Sequence, residues 1–326
     1  MKKKLPFMLA TTAMLILTGC GSSGGSSQSK TDWTVGICQL VTHDALDAAT
    51  KGFKDELSRQ LGADHVKFDE QNAAGQSDVC TTIANSFVSK KVDLIMANAT
   101  PALQAAANST LTIPILGTSV TDFGVALGID NFDGVVGGNV SGTSDCAPLD
   151  EQAKMITDVF PTASKVGLLY CSAEANSLYQ VKVVEEKLKA KGLTVTKYAF
   201  TDSNDIHAVT NTAASASDVI YVPTDNTCAS NAETIDAVCS EKRTPVVAGE
   251  EGLCKVCGVI TLSISYYNLG VKTGKMAAEI LKEGKDISKM AIAYDENPVK
   301  EYNKKKCADL GITVPSDYQV ISGTEA

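Results

Sequence analysis

Hydroxyl, amide and carboxylate side chains follow the ends of several short apolar stretches in this chain of 326 residues. Hydroxyl groups at helix starts suit an anion, and carboxylates suit an ammonium group. The pattern therefore predicts a site for a small zwitterion, with its carboxylate near Thr100 and Thr121 and its ammonium near Asp225 or Glu250. The full candidate set is Thr42, Thr100, Thr121, Asp122, Ser172, Glu174, Asn176, Ser177, Thr224, Asp225, Asn226, Glu250 and Tyr266.

Each candidate also has an ordinary structural interpretation. Thr100 could serve only as a helix cap, serine and asparagine are common in turns, and a loop carboxylate can be solvated. Aromatic side chains mostly belong to cores, so Tyr266 alone enters the set, as a surface on which a ligand ring could stack. His43 and Trp33 are interpreted as structural residues.

The sequence lacks the common motifs of catalysis. A Gly-x-Ser-x-Gly elbow, a phosphate loop and a dinucleotide fingerprint are absent, and the three histidines show no His-x-x-x-His spacing. Cys254-Lys-Val-Cys257 is a single CxxC motif, whereas a zinc site would need a second pair. We therefore expect a binding protein, not an enzyme, with no metal and no cofactor.

Strands and helices alternate along the chain, and the alternation repeats. Residues 35–37, with the sequence VGI, recur 131 positions later as VGL at 166–168. The apolar strands at 92–97 and 113–116 correspond, in the same order, to those at 217–222 and 244–247. Helical segments are predicted at 76–90, 101–109, 147–159, 205–215 and 228–241.

Continuously apolar strands that alternate with helices indicate parallel sheets covered on both faces. The duplication therefore predicts an α/β fold with two Rossmann-like lobes in tandem. Ligands of such sheets bind beyond the carboxyl ends of the strands. The candidate residues lie at those ends, so the two sets of loops should face each other across a cleft.

The first 32 residues carry an export pattern instead of core sequence. Lys2, Lys3 and Lys4 precede an apolar run at 5–17 that is too short to span a bilayer about 30 Å thick. Leu17-Thr18-Gly19-Cys20 resembles the bacterial lipobox, which implies a signal peptide at 1–19 and a lipid on Cys20, with 20–32 as a flexible tether. An ordinary signal peptide with a chance cysteine is the alternative.

Charge and cysteine content set further limits. Cleavage would remove three lysines and take the formal charge from -9 to -12, and only two arginines are present. No basic patch is visible, which argues against nucleic acid as a partner. Nine cysteines follow Cys20, and an odd number cannot pair completely. We interpret most of them as small core residues, with a local disulfide left open.

Several motifs, taken in order, resemble one protein family. The stretches VGICQLVTHDALDAATKGFKDEL, ANATPALQAAAN, IPILGTSVTD, GNVSGTSD and YVPTDNT are similar to ABC-transporter substrate-binding lipoproteins of the tryptophan/tyrosine-binding type, over about residues 33–315. The resemblance implies a type I periplasmic-binding-protein fold, a hinged clamshell with three crossings between its lobes, and no catalysis. Phe123 departs from the family, which often has proline there.

The resemblance also implies domain limits. Lobe 1 should comprise 33–140 plus about 266–290, and lobe 2 should comprise 141–265 plus part of the C-terminal segment. The crossings are expected at 138–145, at 263–270 and near 286–297.

The resulting functional prediction is a membrane-anchored, extracytoplasmic receptor of an ABC importer. It would bind a small zwitterion, with an aromatic amino acid favoured, and act as a monomer with a permease, an ATPase and the membrane as partners. Two alternatives stay open at this point. The chain could be the ligand-sensing lobe of a membrane receptor, or the same fold could bind a sugar or a nucleoside.

Overall fold

The computed structural model describes residues 31–295 and 297–325. The described strands are β1 (Trp33–Gln39), β2 (Val66–Asn72), β3 (Leu94–Asn98), β4 (Ile115–Val120), β5 (Val140–Ser144), β6 (Lys165–Cys171), β7 (Thr194–Phe200), β8 (Val219–Val222), β9 (Val246–Ala248), β10 (Ile260–Ser263), β11 (Ala293–Tyr294), β12 (Val299–Tyr302) and β13 (Gln319–Val320). The described α-helices are α1 (Asp44–Leu61), α2 (Ser77–Lys90), α3 (Thr100–Ser109), α4 (Phe123–Leu127), α5 (Leu149–Val159), α6 (Ala175–Ala190), α7 (Ile206–Ala216), α8 (Asn226–Ser230), α9 (Ala232–Lys242), α10 (Glu251–Val256), α11 (Tyr266–Glu283) and α12 (Lys304–Leu310).

These elements form two lobes, each built on one sheet. Lobe 1 has a six-stranded parallel sheet in the order β11-β5-β4-β3-β1-β2. Lobe 2 has a seven-stranded sheet in the order β13-β12-β10-β9-β8-β6-β7, which is parallel except where β12 runs antiparallel to β10. The predicted α/β fold with two lobes is confirmed.

Helices cover both faces of the lobe 1 sheet, as the apolar strands predict. Alternate residues of β3 enter different core clusters, because successive side chains of a strand point to opposite faces. Ile95 and Ala97 pack with residues of α2 and α3, whereas Leu94 and Met96 pack with residues of α1 and α11. No helix among the described residues is both long and apolar enough to cross a membrane.

The sequence repeat has a structural counterpart in both lobes. The Asp93 carboxylate, just before β3, accepts a hydrogen bond from the Thr34 backbone N–H at 2.8 Å. Asp218, just before β8, accepts from the backbone N–H groups of Ser164 and Lys165 at 2.8 and 2.9 Å. In each lobe a strand-opening aspartate therefore ties its strand to the start of the neighbouring one.

The chain passes between the lobes three times. The first crossing leads from β5 in lobe 1 to α5, which packs on α6, and the second leads from β10 in lobe 2 to α11, which packs on α1. The third leads from β11 to β12, so it lies between Tyr294 and Val299, at the end of the region expected for it.

The first crossing lies later than the lobe limit expected at 140/141. All of β5 belongs to the lobe 1 sheet, so the chain leaves that lobe after Ser144. Gly142, which reads as a hinge residue in the sequence, has φ 152 and allows a close approach of strands, because a Cβ there would lie 2.1 Å from the Gly117 carbonyl oxygen.

Candidate functional site

A narrow cavity, with a volume of about 10 Å³ open to a water molecule, lies between the carboxyl ends of the strands of both sheets. Its position is the one at which open parallel sheets bind ligands. Most of its lining is polar, although the lining residues are largely buried. The lining residues are His43, Leu46, Ser119, Thr121, Asp145, Asn176, Thr224, Asp225, Asn226, Ala229, Glu250 and Tyr266.

Two loops of lobe 1 that follow strand ends have strained backbones, and the one that contains Ser119 lines the cavity. Ala99, between β3 and α3, has φ 97, and Ser119, at the end of β4, has φ 53. Both values are unusual for residues other than glycine, and such strain concentrates at functional sites. The buried hydroxyl oxygens of Ser119 and Thr100 have no hydrogen-bond partner within the part of the chain that the structure describes. Ser119 lines the cavity, so its hydroxyl is available to a ligand there, whereas Thr100, a residue predicted from the sequence, does not line it.

Thr121 and Asp122 follow β4 but differ in role. Thr121 lines the cavity, and its hydroxyl oxygen accepts a hydrogen bond from Gln180 Nε2 of lobe 2 at 3.4 Å. Asp122 caps α4 by accepting from the Val125 N–H at 2.8 Å. The sequence grouped these neighbours as ligand residues, and only Thr121 lies on the cavity wall.

The lobe 2 carboxylate Glu174 is buried and holds the start of α8. One of its oxygens accepts from Asn226 N and Nδ2, at 3.0 and 2.7 Å, and from Asn176 Nδ2 at 3.0 Å. The other accepts from Thr227 N at 2.9 Å and Oγ1 at 2.8 Å. Both oxygens are thus fully engaged within their own lobe.

Asp225 is also engaged within lobe 2, although it lines the cavity. Its carboxylate accepts from Cys171 N and Ser177 Oγ, both at 2.7 Å, and caps α8 through Cys228 N at 2.8 Å. Burial and the nearby Glu174 raise the pKa of Asp225, whereas these three donors favour its ionised form. The sequence did not predict this structural role.

Glu250 has the same kind of role at α10. Its two oxygens accept from the N–H groups of Gly252 at 2.6 Å and Leu253 at 2.5 Å, which caps the helix. Burial raises the pKa of Glu250 to about 7. The predicted ammonium acceptors Asp225 and Glu250 therefore each cap a helix, and all of their oxygens accept hydrogen bonds from lobe 2.

Asp145 was not singled out from the sequence, yet it lines the cavity and is 5% exposed. It follows β5 at the first crossing. Its Oδ2 accepts from the Tyr266 hydroxyl at 2.9 Å, while Oδ1 has no hydrogen-bond partner among the described residues. Burial raises the pKa of Asp145 to about 6, against the opposing effects of hydrogen bonds from the side chains of Tyr266 and Thr121 and from its own backbone N–H. The sequence signal for it was an acidic residue directly after a strand.

Other predicted residues divide between the cavity and its surroundings. Asn176 and Thr224 line the cavity, and each has a buried oxygen with no described partner. Thr42 is exposed outside the cavity, where its hydroxyl accepts from Asn72 at 3.1 Å. Ser172 also lies outside it, donating to a backbone carbonyl at the end of β7 at 3.0 Å.

Two side-chain contacts join the lobes across the cavity. The first is the bond from Gln180 to Thr121, and in the second His43 Nε2 lies 3.3 Å from Asn226 Oδ1. Burial lowers the pKa of His43, so this side chain is neutral near pH 7. The wall that the described residues form around the cavity therefore contains three carboxyl groups and no permanent cation.

The cysteines and metal-ligand residues do not form a second chemical site in the described parts of the chain. All nine cysteines from Cys38 to Cys307 are free, and eight of them are buried. Cys254 and Cys257 belong to the apolar core of lobe 2. In residues 31–295 and 297–325, no cluster of three or more His, Cys, Asp or Glu side chains is arranged to hold a metal ion.

Comparison with known proteins identifies related sequences along almost all of the described chain. Residues 34–324 match the model of a family described as ABC transporter substrate binding protein. A tyrosine-binding protein of Clostridioides difficile (strain R20291) is 36% identical over 310 residues, which is 91% of this chain and 89% of that protein.

Two solved structures are informative about conformation. A Streptococcus pneumonia ABC domain in complex with L-Trp matches with a TM-score of 0.85 at 32% identity, over 89% of this chain and 100% of that one. A ligand-free, open substrate-binding protein from Clostridium difficile matches with a TM-score of 0.67 at 35% identity, over 89% and 99% of the two chains. Identity and coverage are nearly equal, so the lobes of this chain are arranged more like those of the complex.

Proposed function

This chain belongs to the ABC transporter substrate binding protein family, and from that premise we propose that it is the extracytoplasmic receptor for an amino acid, with an aromatic amino acid favoured. The bound form would be presented to a membrane permease that is driven by an ATPase. The tyrosine-binding and L-Trp-bound relatives support this ligand class.

One observation carries the proposal. The cavity between the lobes contains buried oxygens of Ser119, Asp145, Asn176 and Thr224 that lack hydrogen-bond partners among the described residues. Buried polar atoms are almost always paired in folded proteins, and leaving one unpaired costs about 1–3 kcal/mol. A cluster of four in one cavity is therefore best explained by a polar ligand that has both donors and acceptors.

The start of α3 and the end of β4 suit the ligand carboxylate. Thr100 begins a helix of ten residues, whose N-terminus favours an anion. Its hydroxyl and that of Ser119 are unpaired, and Thr121 lies on the same wall. In this proposal the unpaired hydroxyl of Ser119 binds the carboxylate, together with backbone N–H groups, with Thr121, which also bonds Gln180, and with Thr100, which does not line the present cavity. No cation is needed, in accordance with the absence of Lys and Arg from the described cavity wall.

The other residues of the cavity wall would contact the ligand side chain, which needs the lobes to move apart because the present cavity of about 10 Å³ is too small for it. Tyr266, His43 and Leu46 supply two rings and an alkyl group, and aromatic side chains pack favourably on such groups. Of the residues predicted from the sequence, Thr121, Asn176, Thr224, Asp225, Asn226, Glu250 and Tyr266 line the cavity. In this proposal Thr42, Asp122, Ser172, Glu174 and Ser177 act indirectly, by holding the loops that carry the lining residues.

Closure of the lobes would provide the signal to the permease. A ligand that contacts both lobes stabilises the closed state more than the open one, and so shifts the population toward it. Thr121 and Ser119 belong to lobe 1, whereas Asn176 and Thr224 belong to lobe 2. A ligand that contacts all four would therefore hold the lobes together.

A ligand panel tests this function. Melting of the purified protein should be measured with each of the common amino acids, with sugars and with nucleosides. Ligand at a hundred times its dissociation constant should stabilise the fold by about 2.7 kcal/mol, which is on the order of 5 °C in melting temperature. We expect the largest shift with tyrosine, tryptophan or phenylalanine. A shift with a sugar or nucleoside and with no amino acid would contradict the proposal.

Lipid anchoring is a separate part of the proposal, and Cys20 lies outside the described residues. The lipobox-like sequence at 17–20 supports it. In a native bacterial host, the wild type should partition with the membrane and the Cys20→Ser variant should not. A Cys20→Ser variant that stays as firmly bound as the wild type would exclude the anchor and leave the ligand proposal unaffected.

A further inference from the structure

The three carboxyl groups on the cavity wall differ in what their oxygens contact. Asp225 and Glu250 use both oxygens to accept hydrogen bonds from their own lobe. Asp145 uses one oxygen, to accept from Tyr266, and the other is buried without a partner in the described part of the chain. Asp145 therefore has the carboxyl group whose bonding is incomplete before a ligand arrives.

An incompletely bonded carboxylate in a buried cavity attracts a cation. Removing a carboxylate from water is costly unless a partner of opposite charge or several hydrogen bonds compensate it. No Lys or Arg side chain lines the described cavity wall, and burial keeps His43 neutral, so the protein does not supply that cation. An ammonium group of the ligand would supply both the charge and the missing donor.

We propose that Asp145 is the residue that binds the ammonium group of the ligand, and that Asp225 and Glu250 are not. This inference rests on the amino-acid ligand proposed above. It assigns the ends of the ligand to different elements: the carboxylate to the hydroxyls at the ends of β3 and β4, and the ammonium to the end of β5. Residues of lobe 1 and of the first crossing would then contact both charged groups of the zwitterion, and lobe 2 would close over them.

The position of Asp145 also links recognition to closure. Asp145 lies at the first crossing, directly after β5, and its hydrogen-bond donor Tyr266 begins α11 just after the second crossing. Their bond at 2.9 Å therefore joins two of the three segments about which the lobes must rotate. An ammonium group bound to the free oxygen of Asp145 would be held at the pivot, where it stays in contact during opening and closing.

The test compares ligands with and without an ammonium group, on protein with and without the carboxylate. Binding of the best aromatic amino acid and of its 3-arylpropionic acid, which lacks only the amino group, should be measured calorimetrically. The proteins are the wild type, Asp145→Asn, Asp145→Ala and, as a matched control, Asp130→Asn, which makes the same charge change at an exposed residue of lobe 1. Circular dichroism and melting would establish that each variant is folded.

We expect the wild type and Asp130→Asn to prefer the amino acid over its desamino analogue by at least about 30-fold, since truncating one partner of a buried charge pair has effects of this size or larger. Asp145→Asn should bind the amino acid at least about 30-fold more weakly and should lose the preference. Asp145→Ala should behave in the same way, which separates loss of the carboxylate from any effect of a buried amide.

The outcomes distinguish this inference from the function on which it rests. If Asp145→Asn and Asp145→Ala bind the amino acid as tightly as the wild type and still reject the desamino analogue, the ammonium lies elsewhere. Asp145 is then excluded and the amino-acid function stands. If the wild type binds the amino acid and the desamino analogue equally well, this role for Asp145 is overturned and the amino-acid function stands. If the wild type binds no amino acid, both are overturned.

Discussion

The acidic loops of lobe 2 and the hydroxyl-bearing loops of lobe 1 meet at the same cavity but differ in how completely they are bonded. In lobe 2, Glu174, Asp225 and Glu250 hold the starts of α8 and α10 through N–H and hydroxyl donors. In lobe 1, Thr100 and Ser119 keep unpaired hydroxyls beside strained backbone. The carboxylates of lobe 2 are thus fully bonded, whereas unpaired oxygens remain on the hydroxyls of lobe 1, on Asp145, and on the neutral side chains Asn176 and Thr224 of lobe 2.

This difference separates two uses of a polar residue near a ligand. A carboxylate that caps a helix fixes the loop but has little capacity left for a ligand. A buried group without a partner has that capacity, and the fold is less stable for keeping it unpaired. The number of donors around each carboxylate is therefore a better guide to its role than its charge or its distance from the cavity.

The largest effect should follow from removing a fully bonded carboxylate of lobe 2. Asp225→Ala leaves donors on Cys171, Ser177 and Cys228 without their acceptor. We expect the free energy of unfolding to fall by about 3–5 kcal/mol, measured by urea denaturation, and the melting temperature to fall on the order of 10 °C. Asp205→Ala, at an exposed position of the same lobe, should melt like the wild type. If Asp225→Ala keeps full stability and loses only ligand binding, the conclusion that the carboxylates of lobe 2 hold their loops instead of the ligand is wrong.

Removing the charge of Asp145, at the first crossing, should have the opposite effect and raise the free energy of unfolding. The pKa of Asp145 in the folded protein is about 6, above its ordinary value of 3.8, so the folded protein holds this proton more tightly than the unfolded chain does. Ionisation of Asp145 therefore costs stability as the pH rises from about 4 through 6. Without ligand, Asp145→Asn should be more stable than the wild type at pH 8, by up to about 3 kcal/mol.

Melting curves between pH 4 and pH 8 test whether Asp145→Asn is more stable than the wild type, as expected. The stability difference between Asp145→Asn and the wild type should shrink as the pH falls, since both side chains are then uncharged. Tyr266 lies against Asp145, but its pKa is raised well above 10, so it does not titrate between pH 4 and pH 8. A variant that is less stable than the wild type at pH 8 would show that the Asp145 carboxylate is already well bonded without a ligand.

Local patterns in the sequence predicted the lobes, because each strand and helix carries its own apolar periodicity and the pattern recurs. Strands at the sheet edges were missed. The alternating, half-exposed residues of β2 and β7 lack the continuous apolar run that marks β3 and β8. The lobe limit that the resemblance implies at 140/141 falls inside β5, where Gly142 contacts Gly117 of the neighbouring strand.

The sequence identified the cavity edge but not the bonding within it. Thr121, Asn176, Thr224 and Tyr266 were found because they follow strand ends or lie near them, and they line the cavity. Whether a carboxylate there is already paired depends on donors from other loops, such as those that Cys171 and Ser177 provide to a residue about 50 positions away. A single sequence does not contain that information, so Asp145 could not be distinguished from the acids of lobe 2.

A smaller effect is expected from contacts that join the lobes without charge. His43 Nε2 lies 3.3 Å from Asn226 Oδ1, and a neutral hydrogen bond contributes about 0.5–1.5 kcal/mol. His43→Ala should weaken ligand binding by a few fold and increase the radius of gyration of the unliganded protein in small-angle scattering. His65→Ala, which changes an exposed histidine of lobe 1, is the control. Unchanged affinity and radius would mean that this contact does not stabilise the closed state.

The smallest effect concerns the hinge itself and uses Cys146, the one cysteine of the nine described that is not fully buried. Burial raises the pKa of its thiol to about 12, so it should react slowly with a maleimide. Ligand on the adjacent Asp145 should restrict this crossing and slow the reaction further, by a few fold, as followed by intact mass at short times. In protein that begins at Gly21 and so lacks Cys20, the Cys146→Ser variant should lose this first reaction, because the other eight described thiols lie buried in the lobes. If ligand does not change the rate of the Cys146 reaction, ligand binding does not restrict the first crossing. Closure would then depend on the contacts between the lobes alone.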